Sequence, residues 1–423
     1  MIKKIFKNDY FLTFIVEFIV LISGLLVYKF AAKLPEVNDF SEYAICRRTI
    51  SFIHPLLILG LGVGIPRYIA FSTENKSTNS EGSYFISGLI IVISVLIPSM
   101  IIINIFKSEF AFLFFGDKNF EYLISFLNIL VVGMIFHSIA YGYLRGRLYM
   151  GYANFLQFIN LGIIPLLIFF IFNNIKDVLL YTGLGWILIS IIFNLLIIIK
   201  VKWNKSEIKS SAKDLLIFGI QRVPGDLVLA GFLALPAYFT AHIVSDNLTT
   251  AGYVAFSMSL LNMAGATFGP ICLILLPKAS RAIANKDYHL LKTYVKNITI
   301  LTLVATSFGM IIIEIFANKF IDLYLGNIYD ELVLCVRITI IASIGYTVYI
   351  SLRSILDAYY VKAVNTKNII ISFLFFIAFS LFYYIWIDYK VILYSFVLAM
   401  LILGSLTYYE TKKVLKEFSK VKL

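Results

Sequence analysis

Long apolar runs alternate with short polar segments along the whole chain. Twelve of these runs reach about 20 residues, the length that an α-helix needs to cross the hydrocarbon core of a bilayer. They cover residues 10–32, 45–70, 83–106, 121–144, 152–174, 178–200, 213–240, 250–275, 294–317, 330–353, 367–387 and 391–410. The pattern predicts an all-α, polytopic membrane protein with about 12 transmembrane helices.

The composition excludes an ordinary soluble protein. Of the 423 residues, 60% are apolar and only 14% are charged, whereas soluble domains carry about 25% charged residues. The mean hydropathy is +0.90. The three cysteines and four histidines are scattered, so the sequence predicts neither a disulfide framework nor a metal cluster.

No motif for nucleotide or acyl-transfer chemistry is present in the sequence. There is no phosphate-binding G-x-x-x-x-G-K-[ST] loop and no G-x-S-x-G nucleophile motif. We therefore expect a protein that is not an enzyme and that binds no cofactor. Any directional transport would draw on a proton or sodium gradient.

The distribution of basic residues predicts the orientation in the membrane. Most of the 36 Lys and Arg residues fall in segments on the same side as both termini, and the positive-inside rule assigns that side to the cytoplasm. The first run resembles a signal peptide, but its length and Glu17 within it favour an uncleaved span of a multi-pass protein in the plasma (inner) membrane. The net charge of +12 then reflects topology and contact with membrane lipids, and it requires no nucleic acid.

A polar segment divides the twelve runs into two sets of six. The predicted parts are an N-terminal six-helix bundle over 1–203, a cytoplasmic linker over 204–212, a C-terminal six-helix bundle over 213–410 and a basic cytoplasmic tail over 411–423. The halves also resemble each other at shifts that differ by two residues. The matched pairs are Tyr43 with Tyr253, Tyr141 with Tyr349 and Arg145 with Arg353. Because six is even, the bundles would be parallel repeats, as in transporters that rock around a central site.

Charged residues deep in apolar runs are the first candidates for function, because each costs about 2.5–3.5 kcal/mol to insert at the bilayer centre. They are Glu17, Arg222, Asp226, Glu314 and Arg337. Arg222 and Asp226 share a helical face, with Pro224 between them to break the helix. This pair suits a site that opens and closes, although it would equally stabilise a kink with no other role.

Two kinds of role are open to these and the neighbouring charges. Asp226 and Glu17 are the candidates for ion coupling, since a desolvated carboxylate takes up a proton more readily. For substrate binding the candidates are Arg222, Arg337, Arg47, Arg48 and Arg67, because guanidinium groups bind phosphate through two hydrogen bonds. Topology and contact with lipid head groups would also explain the arginines near the ends of runs.

Four segments resemble a known family. They are Phe40-Ser41-Glu42-Tyr43, the glycine-rich run from Leu59 to Ala70, Arg222-Val223-Pro224-Gly225-Asp226, and Leu276-Pro277-Lys278-Ala279-Ser280. Together they are similar to the polysaccharide flippases of the multidrug/oligosaccharidyl-lipid/polysaccharide exporter superfamily. Those proteins move undecaprenyl-diphosphate-linked oligosaccharides in O-antigen, lipopolysaccharide and capsule assembly.

The resemblance implies a V-shaped, alternating-access transporter with a cationic cavity between two six-helix bundles. In it, Arg222 and Arg337 would face the cavity, and the diphosphate would be drawn to Arg47, Arg48 or Arg67. The expected substrate is a polyprenyl-diphosphate-linked oligosaccharide, with the pathway's polymerase and glycosyltransferases as further partners.

Two alternatives to the flippase remain open from the sequence. One is a cation-coupled multidrug exporter of the same fold, because the predicted spans hold three carboxylates against two arginines. The other, less favoured, is a membrane-embedded polysaccharide polymerase or glycosyltransferase. Such an enzyme would need a large outer loop to hold two sugar substrates, and the predicted outer loops are short.

Overall fold

The computed structural model describes residues 2–36, 38–73, 79–246, 248–269, 275, 279, 282–283, 287–326, 329–360, 364–382 and 388–420. All regular secondary structure within these residues is helical. The chain forms two compact units, Met1–Ala230 and Gly231–Leu423. The boundary between them lies beyond the predicted linker at 204–212, inside a helix.

The first unit contains ten complete α-helices and the start of an eleventh. Their bounds are α1 Ile2–Ala31, α2 Asp39–Ile58, α3 Leu61–Thr73, α4 Glu81–Ile105, α5 Lys107–Phe115, α6 Glu121–Gly146, α7 Met150–Gln157, α8 Ile164–Ile171, α9 Ile175–Lys200, α10 Ile208–Ile220 and α11 Val223–Ile243. A π-helical segment, Phe158–Ile163, joins α7 to α8. Short 3₁₀ turns precede α6 and α10.

The second unit begins within α11. Its further helices, among the described residues, are α12 Thr249–Thr267, α13 Tyr288–Leu325, α14 Asp330–Ile340, α15 Ser343–Tyr359, α16 Val364–Ser380 and α17 Lys390–Lys420. Of the family-like segment after α12, only Ala279 is described, and the rest of Leu276–Ser280 lies outside the described residues. The predicted span ends at 270–274 and 383–387 lie outside them as well.

Each of the twelve predicted spans corresponds to a helix or a broken helix. Within the described residues, eight helices are long and apolar enough to cross a membrane by themselves, and two bent pairs qualify when each pair is taken as one span. The prediction of an all-α, polytopic membrane protein built from two helical bundles is confirmed. The last helix also extends to residue 420, well past the predicted end of the twelfth span.

Three of the predicted spans are broken. The second bends by 47° between α2 and α3, where Leu59 and Gly60 both have positive φ. The tenth bends by 43° between α14 and α15. The seventh is interrupted at Gln221 and Arg222, directly before Pro224, which fits the first turn of α11 because that turn needs no N–H donor. A break at this proline is what the sequence predicts.

Both units have the same internal order of packing. In the first, α6 is central and contacts α2, α3, α4, α7 and α9; in the second, α15 takes that place with α12, α13, α16 and α17 around it. A matched contact supports the repeat. Arg145 lies 5.4 Å from the ring centroid of Tyr141, and Arg353 lies 5.9 Å from that of Tyr349. These four residues are two of the pairs that the sequence aligns.

Candidate functional site

Glu17 lies in a polar network inside the first unit. Its side chain is half-buried on α1, and its Oε1 accepts a hydrogen bond from Gln157 Nε2 at 3.4 Å. The Tyr141 hydroxyl on α6 also interacts with this carboxylate. Three helices, α1, α6 and α7, therefore meet at a residue that the sequence predicts for ion coupling.

His137 extends the network from α6 towards α9. Its Nε2 lies 3.1 Å from Gln157 Oε1, and since an amide oxygen only accepts, Nε2 carries the proton. Its Nδ1 accepts from Asn160 Nδ2 at 3.1 Å, and the same amide donates to Ser190 Oγ at 2.9 Å. Amides on both sides thus hold the imidazole as a single neutral tautomer.

The π-helical segment after α7 shapes this network. Ile164 N donates to Ile159 O within it, and Pro165 has no N–H to offer. The Asn160 carbonyl therefore lacks its usual helical donors, and the Trp186 indole on α9 donates to it instead. Single π-turns inside α-helices are frequent at functional sites.

An aromatic stack connects the network to the predicted cytoplasmic end of α6. His137, Tyr141 and Arg145 are four residues apart and share one face of the helix. The Tyr141 ring stacks on His137 at a centroid distance of 5.6 Å and an angle of 16°, and Arg145 also lies on the Tyr141 ring. The arrangement can hold a proton on Glu17, beside the Tyr141 hydroxyl.

Two buried amide oxygens could also bind a small cation. Asn160 Oδ1 and Asn194 Oδ1 accept no hydrogen bond from any residue that the structure describes, and both side chains contact Ser190. Neutral oxygens of this kind are ligands for hard cations. Across the described part of the chain, no group of three or more His, Cys, Asp or Glu side chains is arranged to hold a metal ion.

Arg67 and Arg222 lie on the same phenylalanine ring. The distance from the Phe218 ring centroid is 3.8 Å to Arg222 Cζ and 4.9 Å to Arg67 Cζ. Both arginines are exposed, and neither forms an ion pair with another described residue. We call these three residues the arginine–phenylalanine cluster. It brings together two of the five arginines that the sequence predicts for substrate binding.

Two helix breaks meet beside this cluster. A Cβ atom at Gly60 would lie 2.7 Å from the carbonyl oxygen of Gly219, so the α2–α3 break and the end of α10 are in backbone contact. One turn further along α3, a Cβ at Gly64 would lie 3.5 Å from Phe218. The absence of a side chain at Gly60 allows the α2–α3 break and the end of α10 to approach this closely.

Polar contacts hold α10 against α4 in the first unit. Tyr84 donates its hydroxyl to Asp214 Oδ2 at 2.9 Å. Just before α10, Glu207 Oε2 accepts from Ser80 N and Ser80 Oγ at 2.8 and 2.7 Å. The backbone and hydroxyl hydrogen bonds of Ser80 lower the pKa of Glu207. The segment before the seventh predicted span is thus fixed to the first unit.

Arg47 and Arg48 occupy a different part of the first unit. Arg48 is buried, with 6% of its surface exposed. Arg47 interacts with Tyr28 and lines a cavity of about 10 Å³ with Trp186, enough for about one water molecule. Their surroundings are those of residues packed inside the unit.

Arg337 and Asp226 take part in other contacts. Arg337, in the second unit, donates from Nη2 to Asn318 Oδ1 at 3.5 Å. Asp226 is exposed in the first turn of α11, and its backbone N–H donates to Arg222 O at 3.1 Å. The guanidinium of Arg222 points back to Phe218, where Nη1 donates to the phenylalanine carbonyl at 3.1 Å.

Sequence reasoning missed several residues of these sites. His137 lies on α6, whereas Gln157 and Asn160 lie at the end of α7 and in the π-helical segment after it, and nothing local in the sequence joins the two helices. A signal was present in α6, where His137, Tyr141 and Arg145 recur every four residues inside an apolar span. Phe218 carried no signal, because one phenylalanine among 38 is indistinguishable from those that face lipid.

The chain shares its fold with solved transporter structures at low sequence identity. An inward-facing multidrug resistance MATE family transporter of the MOP superfamily is 13% identical, with a TM-score of 0.75 over 97% of this chain and 100% of that one. The eukaryotic MATE transporter AtDTX14 is 10% identical, with a TM-score of 0.72 over 98% and 97%. A MOP superfamily transporter from Pyrococcus furiosus is 14% identical, with a TM-score of 0.67 over 98% and 96%.

These likenesses establish the fold. No protein-family model matches the chain, and no curated protein sequence matches it. The apolar helices and the shared fold together identify a multi-pass membrane protein with the architecture of MOP superfamily transporters. The expectation of that superfamily's fold is thereby supported, while the finer choice among its members depends on the residues of this chain.

Proposed function

We propose that this chain is a membrane transporter whose substrate is an anionic amphiphile. The specific candidate is a polyprenyl-diphosphate-linked oligosaccharide, flipped from the cytoplasmic to the outer leaflet of the plasma membrane for surface polysaccharide assembly. The sugar would cross by alternating access while the polyprenyl tail remains in lipid. The shared fold with known transporters supports transport, and the arginine–phenylalanine cluster supports the charge of the substrate.

The cluster is the observation that carries this proposal. Arg67 and Arg222 are two exposed guanidinium groups without an ion-pair partner among the described residues. Each can bind a phosphate oxygen pair through its planar fork of donors. Two such groups on one ring match a substrate with two linked phosphates better than they match a cationic drug, which they would repel.

A multidrug exporter is the second candidate, and the comparisons favour it over the flippase. Several similar structures are of multidrug resistance or MATE transporters. One neighbour with this fold, however, is described as having a binding pocket of reverse polarity that suggests a different function. The fold is therefore compatible with more than one substrate charge, and the residues of each chain decide between them.

The Glu17 network is the proposed coupling site, with a proton or sodium ion as the driving ion. A proton or a sodium ion would bind the Glu17 carboxylate. Asp226 remains a second coupling candidate on α11. Under the proposed topology both termini are cytoplasmic, and the polymerase and glycosyltransferases of the pathway would supply and consume the substrate.

The experiment is a flipping assay with purified protein in proteoliposomes that contain a fluorescent polyprenyl-diphosphate oligosaccharide. We expect the wild-type protein to abolish leaflet asymmetry and Arg222→Gln to flip at least tenfold more slowly. Lys209→Gln is the matched control, because Lys209 is an exposed cation on the same helix, α10. It should flip at the wild-type rate.

The competing outcome is equally specific. A lipophilic cation that is transported by the wild-type protein, in liposomes where no lipid-linked sugar is flipped, would overturn the flippase proposal in favour of the multidrug exporter. If Arg222→Gln and Lys209→Gln both flip at the wild-type rate, the arginine–phenylalanine cluster is not the substrate site.

A further inference from the structure

We infer that Phe218 is a positioning residue, whose ring holds the guanidinium groups of Arg67 and Arg222 together as one diphosphate-binding site. The inference rests on the proposed function. Both cations lie within about 6 Å of the ring centroid, the range in which a cation is attracted to an aromatic face. Phe218 itself would make no hydrogen bond to the substrate.

The need for such a residue comes from electrostatics. Arg67 and Arg222 are at most about 9 Å apart, because their distances to the shared centroid are 4.9 and 3.8 Å, and two like charges at that separation repel each other. A carboxylate between them would remove the repulsion, but it would also occupy their N–H donors. An aromatic face attracts the guanidinium through its π surface and leaves donors at the edge of the guanidinium plane available to a ligand.

Aromatic contacts within the first unit hold the Phe218 ring in place. The Tyr68 ring meets it edge-on at a centroid distance of 5.8 Å and an angle of 85°. Tyr68 in turn stacks on Tyr84 at 5.0 Å, and Tyr84 is anchored through its hydroxyl to Asp214. Asp214 lies one turn before Phe218 on α10, so the contacts form a closed loop around the ring.

The position of Arg222 makes this support necessary. Arg222 lies in the two-residue break between α10 and α11, where no continuous helix fixes the direction of its side chain. Its contact with the ring of Phe218, together with the hydrogen bond from Nη1 to the carbonyl of that residue, directs the guanidinium back onto α10. Arg67 reaches the same ring from α3, so the site is assembled before any ligand binds.

The test replaces Phe218 by phenylalanines with one, two and three fluorine atoms on the ring. Fluorination weakens the negative face step by step while nearly preserving the size of the ring. The probe is inorganic pyrophosphate, titrated against the full-length protein in detergent at constant ionic strength. We expect the affinity to fall with each fluorine, reaching roughly tenfold for the trifluoro ring. Phe218→Trp should retain binding, and Phe218→Leu should lose at least as much as the trifluoro variant.

A matched series at Phe232 is the control. This ring is buried in the second unit and packs against the rings of Phe373, Phe376 and Phe396. Fluorination there should leave pyrophosphate affinity unchanged. A second readout needs no ligand. It is a double-mutant cycle in which thermal unfolding is measured for Phe218→Leu, Arg67→Gln and the double variant, and we expect the losses of stability to be non-additive.

The outcomes separate this inference from the proposed function. Pyrophosphate binding that depends on Arg67 and Arg222 but ignores fluorination would overturn the positioning role and leave the anion site in place. No pyrophosphate binding by the wild-type protein would overturn the anion site, and with it any role of Phe218 towards a ligand. Additive unfolding in the cycle would overturn the ring–cation coupling whatever the binding result.

Discussion

Replacing Gly60 by alanine tests the contact between the two helix breaks. Gly60 has φ of 70°, a conformation that costs a residue with a side chain about 1–2 kcal/mol. The new Cβ would also lie 2.7 Å from the carbonyl oxygen of Gly219. Because that neighbour is backbone, it cannot rotate away, and α3 and α10 must separate by several tenths of an ångström.

The two effects add to a substantial loss of stability. Forcing an extra methyl group into a packed interface costs about 1–3 kcal/mol, so the total is about 2–5 kcal/mol when the backbone strain is included. In a unit of about 230 residues, this corresponds to a melting temperature lower by about 4–20 °C. The separation should also weaken pyrophosphate binding, because it moves Arg67 away from Phe218.

The assay is thermal unfolding of the purified protein in detergent, with Gly62→Ala as the matched control. A Cβ at Gly62 meets nothing within 4 Å, and alanine inside α3 is the better helix former by up to about 1 kcal/mol. The control should therefore melt at or slightly above the wild-type temperature. If Gly60→Ala has the same melting temperature as Gly62→Ala, the two helix breaks are not in tight backbone contact and the prediction is wrong.

Three further predictions follow from individual contacts. Arg222→Gln should weaken pyrophosphate binding about 10–150-fold, because it removes one charged hydrogen-bonding partner worth about 1.5–3 kcal/mol. Titration with pyrophosphate measures this, with Lys209→Gln as the control. The hydrogen bonds from Ser80 lower the pKa of Glu207, so the ionised carboxylate stabilises the folded protein fully above its ordinary pKa, and this stabilisation is lost as the pH falls through the lowered value. The melting temperature of Glu207→Gln should not show this loss at acidic pH. Trp186→Phe should destabilise the protein by about 1–3 kcal/mol in chemical unfolding, since the Asn160 carbonyl loses its donor.

The spans and one of the breaks could be predicted because their signals are local. Twelve apolar runs appear as twelve helical segments, and the helix at Pro224 breaks where the proline removes a donor. The repeat could also be predicted, because the residues of the Tyr141–Arg145 and Tyr349–Arg353 contacts are identical at aligned positions of the two halves. The length of an apolar run and the missing N–H of a proline are local properties, so they predict structure without knowledge of the fold.

The other breaks could not be predicted in the same way. The glycines from Gly60 to Gly64 indicate close helix packing, and the structure confirms this packing at Gly60. A helix break with a left-handed backbone also favours glycine, so the sequence does not distinguish the two roles. The bend after Ile340 carries no glycine or proline at all. It falls at Ile341 and Ala342, so no glycine or proline marks the break itself in the sequence. The partners of His137 are likewise set by which helices pack together.

The arginines of the first unit differ in the charged groups near them, although Arg145 and Arg147 also lie on tyrosine rings. Arg147 has a carboxylate, with Nη1 2.9 Å from Glu81 Oε2, and Arg145 lies near Glu17. Such arginines are balanced within the protein and need no ligand. Arg67 and Arg222 have an aromatic face instead, which lowers the cost of placing them together without cancelling their charge. If the proposed site binds an anion, a phenylalanine at position 218 leaves N–H donors of both guanidinium groups available to it, whereas a carboxylate there would occupy them.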